Sequence, residues 1–250
     1  MSEPSIAEAM NSPKAKIFRT TPIGVAVYPH LIAHDEYQLT QNSVYQCNTK
    51  LLLDPAVPKV KEFVDDIDSM VSETFKLSKA KLTKDLKTAT GNEKGKMKKA
   101  LDGLVSYTPY DDQIDDDGEP TGKLLFKMKS TVSGIDKKTQ ERWNREIAIF
   151  DSQNEKIMGP ARSNLKLWGG SKIAIAMQVV PYCALGLKHA GVSLRITAVQ
   201  VVELAGAERT ADAYGFGTHN EGFHAGDDTA TTDDEESVDA STAELEEEEF

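Results

Sequence analysis

Two hydrophobic periods run along this chain. Period two marks short strands, and a three-to-four-residue spacing marks one long helix. Residues 23–28 (Ile-Gly-Val-Ala-Val-Tyr) are short and β-rich, are bracketed by Pro22 and Pro29, and predict a strand. Residues 44–53 predict a second, with Tyr45, Cys47, Thr49, Leu51 and Leu53 on one face, and Asp54-Pro55 stops it. From about 58 to 87, Val60, Phe63, Val64, Ile67, Val71, Phe75 and Leu82 form one apolar helical stripe. After it the chain reads as a basic loop or a broken second helix ending near Leu104. Residues 107–122, with Pro109, Gly118, Pro120 and Gly122, read as a loop. Residues 124–130 and 143–151, joined across the polar turn Asp136 to Gln140, predict a hairpin. Residues 171–182 and 192–204 predict the last two strands.

This order gives a mainly β fold: five or so strands, a helical insertion at about 56–104, and no internal repeat. Strands of this number and length suit a small closed or partly closed barrel. Residues 1–16 are polar, carry Pro4 and Pro13, and read as a flexible leader. Residues 17–205 read as the folded body and 206–250 as a tail. The 250 residues suit one domain with appendages. No run of 18 apolar residues exists to span a membrane, and the N-terminus lacks the basic and apolar parts of a signal peptide. Cys47 and Cys183 fit a reduced cytoplasmic thiol pair better than a disulfide scaffold.

Charge changes the picture once it is located. The net charge is -11, from 29 Lys and Arg against 40 Asp and Glu, but twelve of the acids and none of the bases fall in residues 227–250. The body is therefore near neutral and the tail strongly acidic. Blocks of like charge repel, stay disordered and serve as interaction tails. The run Glu246, Glu247, Glu248, Glu249 ends in Phe250, a terminal aromatic that suits an apolar pocket rimmed by bases. The opposite block is residues 76–99, with nine lysines against Asp85 and Glu93. It reads equally as a phosphate-contacting surface or a solvated helix face.

On the strand at 124–130, Leu124, Phe126 and Met128 share the face that can fill a barrel. Lys127 and Lys129 share the other, where a phosphate backbone can lie; on pattern alone they also read as a solvated strand face. Aromatics interleave with the bases: Tyr28, Tyr37, Tyr45, Tyr110, Trp143, Phe150, Trp168 and Tyr182. A basic groove with rings for stacking is how single-stranded nucleic acid is held. Most rings in a domain are core. Tyr182 stands out because Pro181 ends its strand and leaves it at a rim, whereas Trp143 shares parity with both Ile147 and Arg145.

Other chemistry finds little support, and no catalytic residue, metal or cofactor is expected. His30 and His34 are four apart, but Pro29 beside His30 argues against a zinc site there. A calcium loop centred on Gly118 would start at Gln113 and end at Leu124, not Glu. Gly91 to Lys96 has the wrong spacing for a phosphate loop. Gly169-Gly170-Ser171-Lys172 opens a strand rather than a helix, so no dipole serves a phosphate there. Asp111, Asp112 and Asp115 to Asp117 offer carboxylates for a magnesium-dependent nuclease, but on a loop without fixed geometry. An RNA-binding role and a protein-only adaptor remain the alternatives.

Several strings in this order resemble the single-stranded DNA-binding proteins of short-tailed lytic phages. They are SVYQCNTKLLLDP (43–55), LLFKMKS (124–130), DKKT (136–139), FDSQNEKI (150–157), GGSKIAIAMQVVPY (169–182) and GVSLRITAVQVVEL (191–204), with the tail ending in Phe250. The resemblance implies a five-stranded oligonucleotide-binding (OB) barrel and a non-enzymatic protein of phage DNA replication, recombination and repair in the cytoplasm of the infected bacterial host. It implies that Lys127 and Lys129 are paired DNA-contacting lysines and Tyr182 a stacking ring. Arg142, Lys172, Trp143, Phe150, Lys81 and Lys84 complete the candidate DNA-binding set. The resemblance also implies that the tail, through Glu246 to Phe250, contacts phage DNA polymerase and helicase-primase, occupies the protein's own DNA groove and supports a homodimer. As a coil, a tail of about 45 residues would span roughly 35–40 Å, enough to reach a groove on a body whose radius of gyration is near 16 Å. Ala174 and Ala176 depart from the pattern, since basic residues are expected there in relatives.

Overall fold

The fold is seen in a computed structural model that describes residues 3–32, 46–136 and 138–206. In chain order it holds α1 (Ile6–Asn11), β1 (Ile17–Thr20), β2 (Gly24–His30), β3 (Gln46–Leu53), α2 (Pro58–Thr88) and α3 (Gly91–Asp102). Then come β4 (Val105–Tyr107), β5 (Tyr110–Ile114), β6 (Pro120–Thr131), β7 (Ser133–Ile135), β8 (Arg142–Asn144) and β9 (Ala148–Phe150). The last elements are α4 (Gly159–Ser163), β10 (Lys172–Ala184) and β11 (His189–Glu203). The expected strand residues Val44 and Tyr45, together with His34, Tyr37 and the acidic tail with Glu246 to Phe250, lie outside the described residues.

Five strands close on themselves. β2 pairs with β3, β3 with β6, β10 with β11 and β10 with β2, all antiparallel, and β6 joins β11 in parallel. This ring, with a helical insertion between its second and third strands, is an OB-type barrel. Period-two alternation decides what fills it. Cys47, Thr49, Leu51 and Leu53 of β3, Phe126 and Met128 of β6, Ile173, Ile175, Met177 and Val179 of β10, and Val192, Leu194 and Ile196 of β11 are all buried. Phe126 sits at the centre, its ring 5.3 Å from that of Phe63 and 4.8 Å from that of Tyr110.

α2 starts with Pro58 at its first turn, where the missing N–H costs nothing. Its stripe Val60, Phe63, Val64, Ile67 and Val71 is buried in the same core as the barrel interior. Arg19 of β1 ties β1 to this helix by donating to Asp66 at 2.6 Å. Tyr110 Oη donates to Asp68 at 2.7 Å, and burial together with Asp68 raises the phenol's pKa. The basic stretch after α2 is a second helix, α3, rather than a loop. Leu82, Leu104 and Ala190 form a small separate core that fastens the insertion to the start of β11.

Four expectations are corrected. Residues 1–16 are not a loose leader throughout: α1 is held by a capping box between Ser5 and Glu8, by burial of Ile6, and by the ion pair of Glu3 with Arg19. Residues 124–130 do not form a hairpin with 143–151. β6 instead pairs with β3, β5 and β11, while the 143–151 stretch divides into β8, paired with β7, and β9, paired with β11. Alternation fixes which face of a strand is inward but not which strand lies beside it. The expected loop at 107–122 contains β5. The strand opening at residue 23 runs past Pro29 to His30, with a register shift between Val27 and His30.

Candidate nucleic-acid interface

Residues that alternate with the buried ones point outward, and on three adjacent strands they include cations. Lys50 of β3 stands directly opposite Lys127 of β6, and Asn48 opposite Lys129. Lys129 in turn stands opposite Arg195 of β11. Like charges directly opposite on neighbouring strands destabilise a sheet. The outer face thus concentrates positive charge at a cost to the fold. Lys127 has one compensating partner, Asp111 of β5 at 2.5 Å, whose hydrogen bond raises the lysine's pKa and keeps it charged.

Asn48, Lys50, Lys127, Lys129 and Arg195 line one groove of about 650 Å³, together with Tyr28, Tyr107, Tyr182, Val180 and Leu187. Tyr182 has the outward parity of β10, shared with Val180, and partial burial raises its phenol pKa, so the ring is neutral near pH 7. Tyr107 is stacked on the His189 imidazole, with centroids 4.8 Å apart and planes 11° from parallel. Gly191 makes this placement possible. It pairs with Tyr107 across β11 and β4, and a Cβ there would fall 2.1 Å from the Tyr107 carbonyl oxygen. A basic floor with rings at its edge suits an unpaired polynucleotide, phosphates on the cations and bases on the rings.

Of the candidate set read from the sequence, the structure brings Lys127, Lys129 and Tyr182 into this groove. Arg142 lines a different hollow of about 340 Å³, with Arg145, Arg162 and Cys47. Arg145 donates to Ser130 at 2.5 Å and Arg162 to the Ile147 carbonyl at 2.8 Å, so both guanidiniums brace loops. Burial pushes the Cys47 thiol up to about 11, with Arg162 and Arg145 pulling the other way. The thiol is therefore protonated near neutral pH. Trp143 is exposed on β8 and its ring packs against Gly134, the residue opposite it. Phe150 is half-buried on β9, opposite Gln200. Lys172 is paired with Glu203 at 2.6 Å, in a hollow that also contains Asp54, Glu62 and Asp66. Lys81 and Lys84 are exposed on α2, either side of the anchoring Leu82.

Sequence reasoning missed Lys50, Asn48, Arg195 and Tyr107 as groove residues, and had Tyr28 only among the interleaved aromatics. Parity would have found the first three, because each alternates with residues that the same strands bury. Ala174 and Ala176, where bases were expected, carry no charge; the cations of the groove come from β3, β6 and β11 instead. Two of the five aspartates of the nuclease alternative have structural partners: Asp111 the Lys127 ammonium, and Asp115 the backbone N–H groups of Asp117 and Glu119. Among the described residues no cluster of His, Cys, Asp and Glu is arranged to hold a metal, and no helix is long and apolar enough to cross a membrane.

A family model described as single-stranded DNA-binding protein, Bacteriophage T7, matches residues 28–204. Over 103 residues the chain is 32% identical to the single-stranded DNA-binding protein of Enterobacteria phage T3. It is 30% identical to that of Escherichia phage T7 over the same length. Each alignment covers 41% of this chain and 43% of the relative, so the chain matches less than half the length of these curated relatives. The crystal structure of gp2.5, a single-stranded DNA-binding protein encoded by bacteriophage T7, superposes with a TM-score of 0.57 at 23% identity, covering 78% of this chain and 98% of that one. That likeness confirms the fold. The proteins matched are named as binding proteins, not as enzymes.

Proposed function

This chain belongs to the bacteriophage T7 single-stranded DNA-binding protein family, and from that premise we propose that its barrel, residues 17–205, binds single-stranded DNA without sequence preference. The observation that carries the reading is the cross-strand set Lys50–Lys127 and Lys129–Arg195. Four cations held face to face are unfavourable until a polyanion lies across them. Phosphates of an unpaired strand supply that charge, and Tyr182 and Tyr107 offer π-faces that accept any base.

The Lys127–Asp111 pair makes the reading testable without damaging the fold. Both groups are about half exposed, so the pair itself adds little stability. Asp111 does, however, compete with phosphate for the lysine. The variant Asp111→Asn is expected to bind a fluorescent oligothymidylate more tightly at low salt. Its salt slope should steepen by up to about 0.7, the value for one more phosphate neutralised. A blank titration of the parent chain at low salt would overturn the proposal.

The same reading gives residues 206–250 a regulatory part. The acidic stretch 227–250, ending in Phe250, competes with DNA for the basic groove; once displaced, it recruits phage DNA polymerase and helicase-primase and supports homodimer formation. The protein then acts in phage DNA replication, recombination and repair, in the cytoplasm of the bacterial host. What supports this is charge complementarity: twelve acids and no base in residues 227–250 against a groove of four cations. A tethered competitor acts at high effective concentration. Truncation after Gly226 is expected to tighten DNA binding at low salt, with the difference shrinking as salt rises. Unchanged or weaker affinity of the truncated chain would remove the competition.

A further inference from the structure

We propose that Trp168 and Tyr28 form a second base-stacking subsite, on the outer face of β2 beside the cationic groove. The inference rests on the single-strand reading of that groove and extends the strand's path beyond it. The loop before β10 lies along β2. Gly170 donates its N–H to the Ala26 carbonyl at 2.8 Å, and Ala26 donates back to the Ser171 carbonyl at 2.8 Å. Leu167 is buried, while Trp168 beside it keeps 59% of its surface exposed. A large indole held on a pinned loop with most of its surface in water gains little burial there.

Tyr28 shows the same disregard for local stability. It is 73% exposed and sits at φ +49°, within the register shift of β2. A left-handed backbone at a non-glycine residue is strained, and such strain collects at binding sites. Here it comes without burial of the ring. Both residues border one hollow of about 560 Å³, which Val25, Val27 and Leu167 also line.

The occupant is an unpaired base. Tyr28 lines both this hollow and the cationic groove, so a strand leaving the groove meets it next. Among the described residues no carboxylate lines the hollow, so the strand's phosphates meet no repulsion. The hollow near β2 with exposed Ile23 and Val57 mixes Asp54, Glu62 and Asp66 with Lys59, Lys123 and Lys172, so its charges balance and it offers phosphates no net attraction.

The test uses the full chain carrying Trp143→Phe, which leaves Trp168 as the sole tryptophan, and every arm is compared within that background. Oligothymidylates of increasing length are titrated while indole emission and the anisotropy of a labelled strand are read. The expected result is quenching of Trp168 that saturates together with anisotropy. Trp168→Ala should bind long strands about 5- to 150-fold more weakly, the span for one stacked base, and strands too short to leave the groove with unchanged affinity. Tyr28→Ala, at a residue shared with the groove, should weaken binding of short strands as well and of long strands more. Normal anisotropy with static Trp168 emission and full affinity in Trp168→Ala would overturn the subsite and leave the groove reading intact. No binding by the parent at low salt would remove the reading beneath it. An emission change that follows protein concentration without DNA would assign the hollow to a second copy of the chain and overturn the subsite.

Discussion

Replacing Phe126 with alanine is expected to destabilise the chain by about 3–5 kcal/mol, the cost of emptying a fully enclosed aromatic site. Phe126 is fully buried between Phe63 of α2 and Tyr110 of β5. Its loss leaves a cavity bounded by three elements that no single side chain can refill. It also removes the contact that holds the helical insertion to β6, the strand that carries Lys127 and Lys129. Urea unfolding followed by far-ultraviolet circular dichroism measures the effect as a lower midpoint. Phe126→Leu, which keeps most of the volume, should cost less. A loss below about 1 kcal/mol for the alanine variant would mean that the barrel does not close around this ring.

Replacing Tyr182 with alanine should leave stability nearly unchanged and weaken single-strand binding by about 1–3 kcal/mol, roughly 5- to 150-fold. The residue has outward parity on β10, lines the cationic groove and is not part of the barrel interior. Tyr182→Phe should retain most of the affinity, because stacking needs the ring and not the hydroxyl. An alanine variant that binds normally but unfolds more easily would reassign Tyr182 to packing.

Much of this was legible in the alternation of single strands. On β3 the buried set Cys47, Thr49, Leu51 and Leu53 follows from period two, and the same parity places Asn48 and Lys50 outside. On β6, Phe126 inward and Lys127 outward followed in the same way. Partnership was not legible. A strand's pattern is satisfied by any neighbour that continues the apolar face, so β6 found β3 and β11 rather than residues 143–151. Lys172 looked available for DNA because its partner Glu203 lies 31 residues along the chain. Tyr107 reaches the groove only because Gly191 lacks a side chain opposite it, and β4, exposed along its length, carries no periodic signal. The capping box of α1 was readable as Ser5-x-x-Glu8, but Pro4 and Pro13 argued for a loose leader, and the burial of Ile6 that settles the helix is a tertiary contact.

The central claim is that three adjacent strands present a cationic face to an unpaired polyanion. Titration of a labelled oligothymidylate against the parent chain and the triple variant Lys50→Ala, Lys129→Ala, Arg195→Ala, at several salt concentrations, tests it most directly. Each cation that neutralises a phosphate contributes about 0.7 to the slope of log affinity against log salt. Shallowing by roughly 2, with a large loss of affinity at low salt and convergence at high salt, is the predicted outcome. Superimposable isotherms for parent and variant, with the variant still folded, would contradict it.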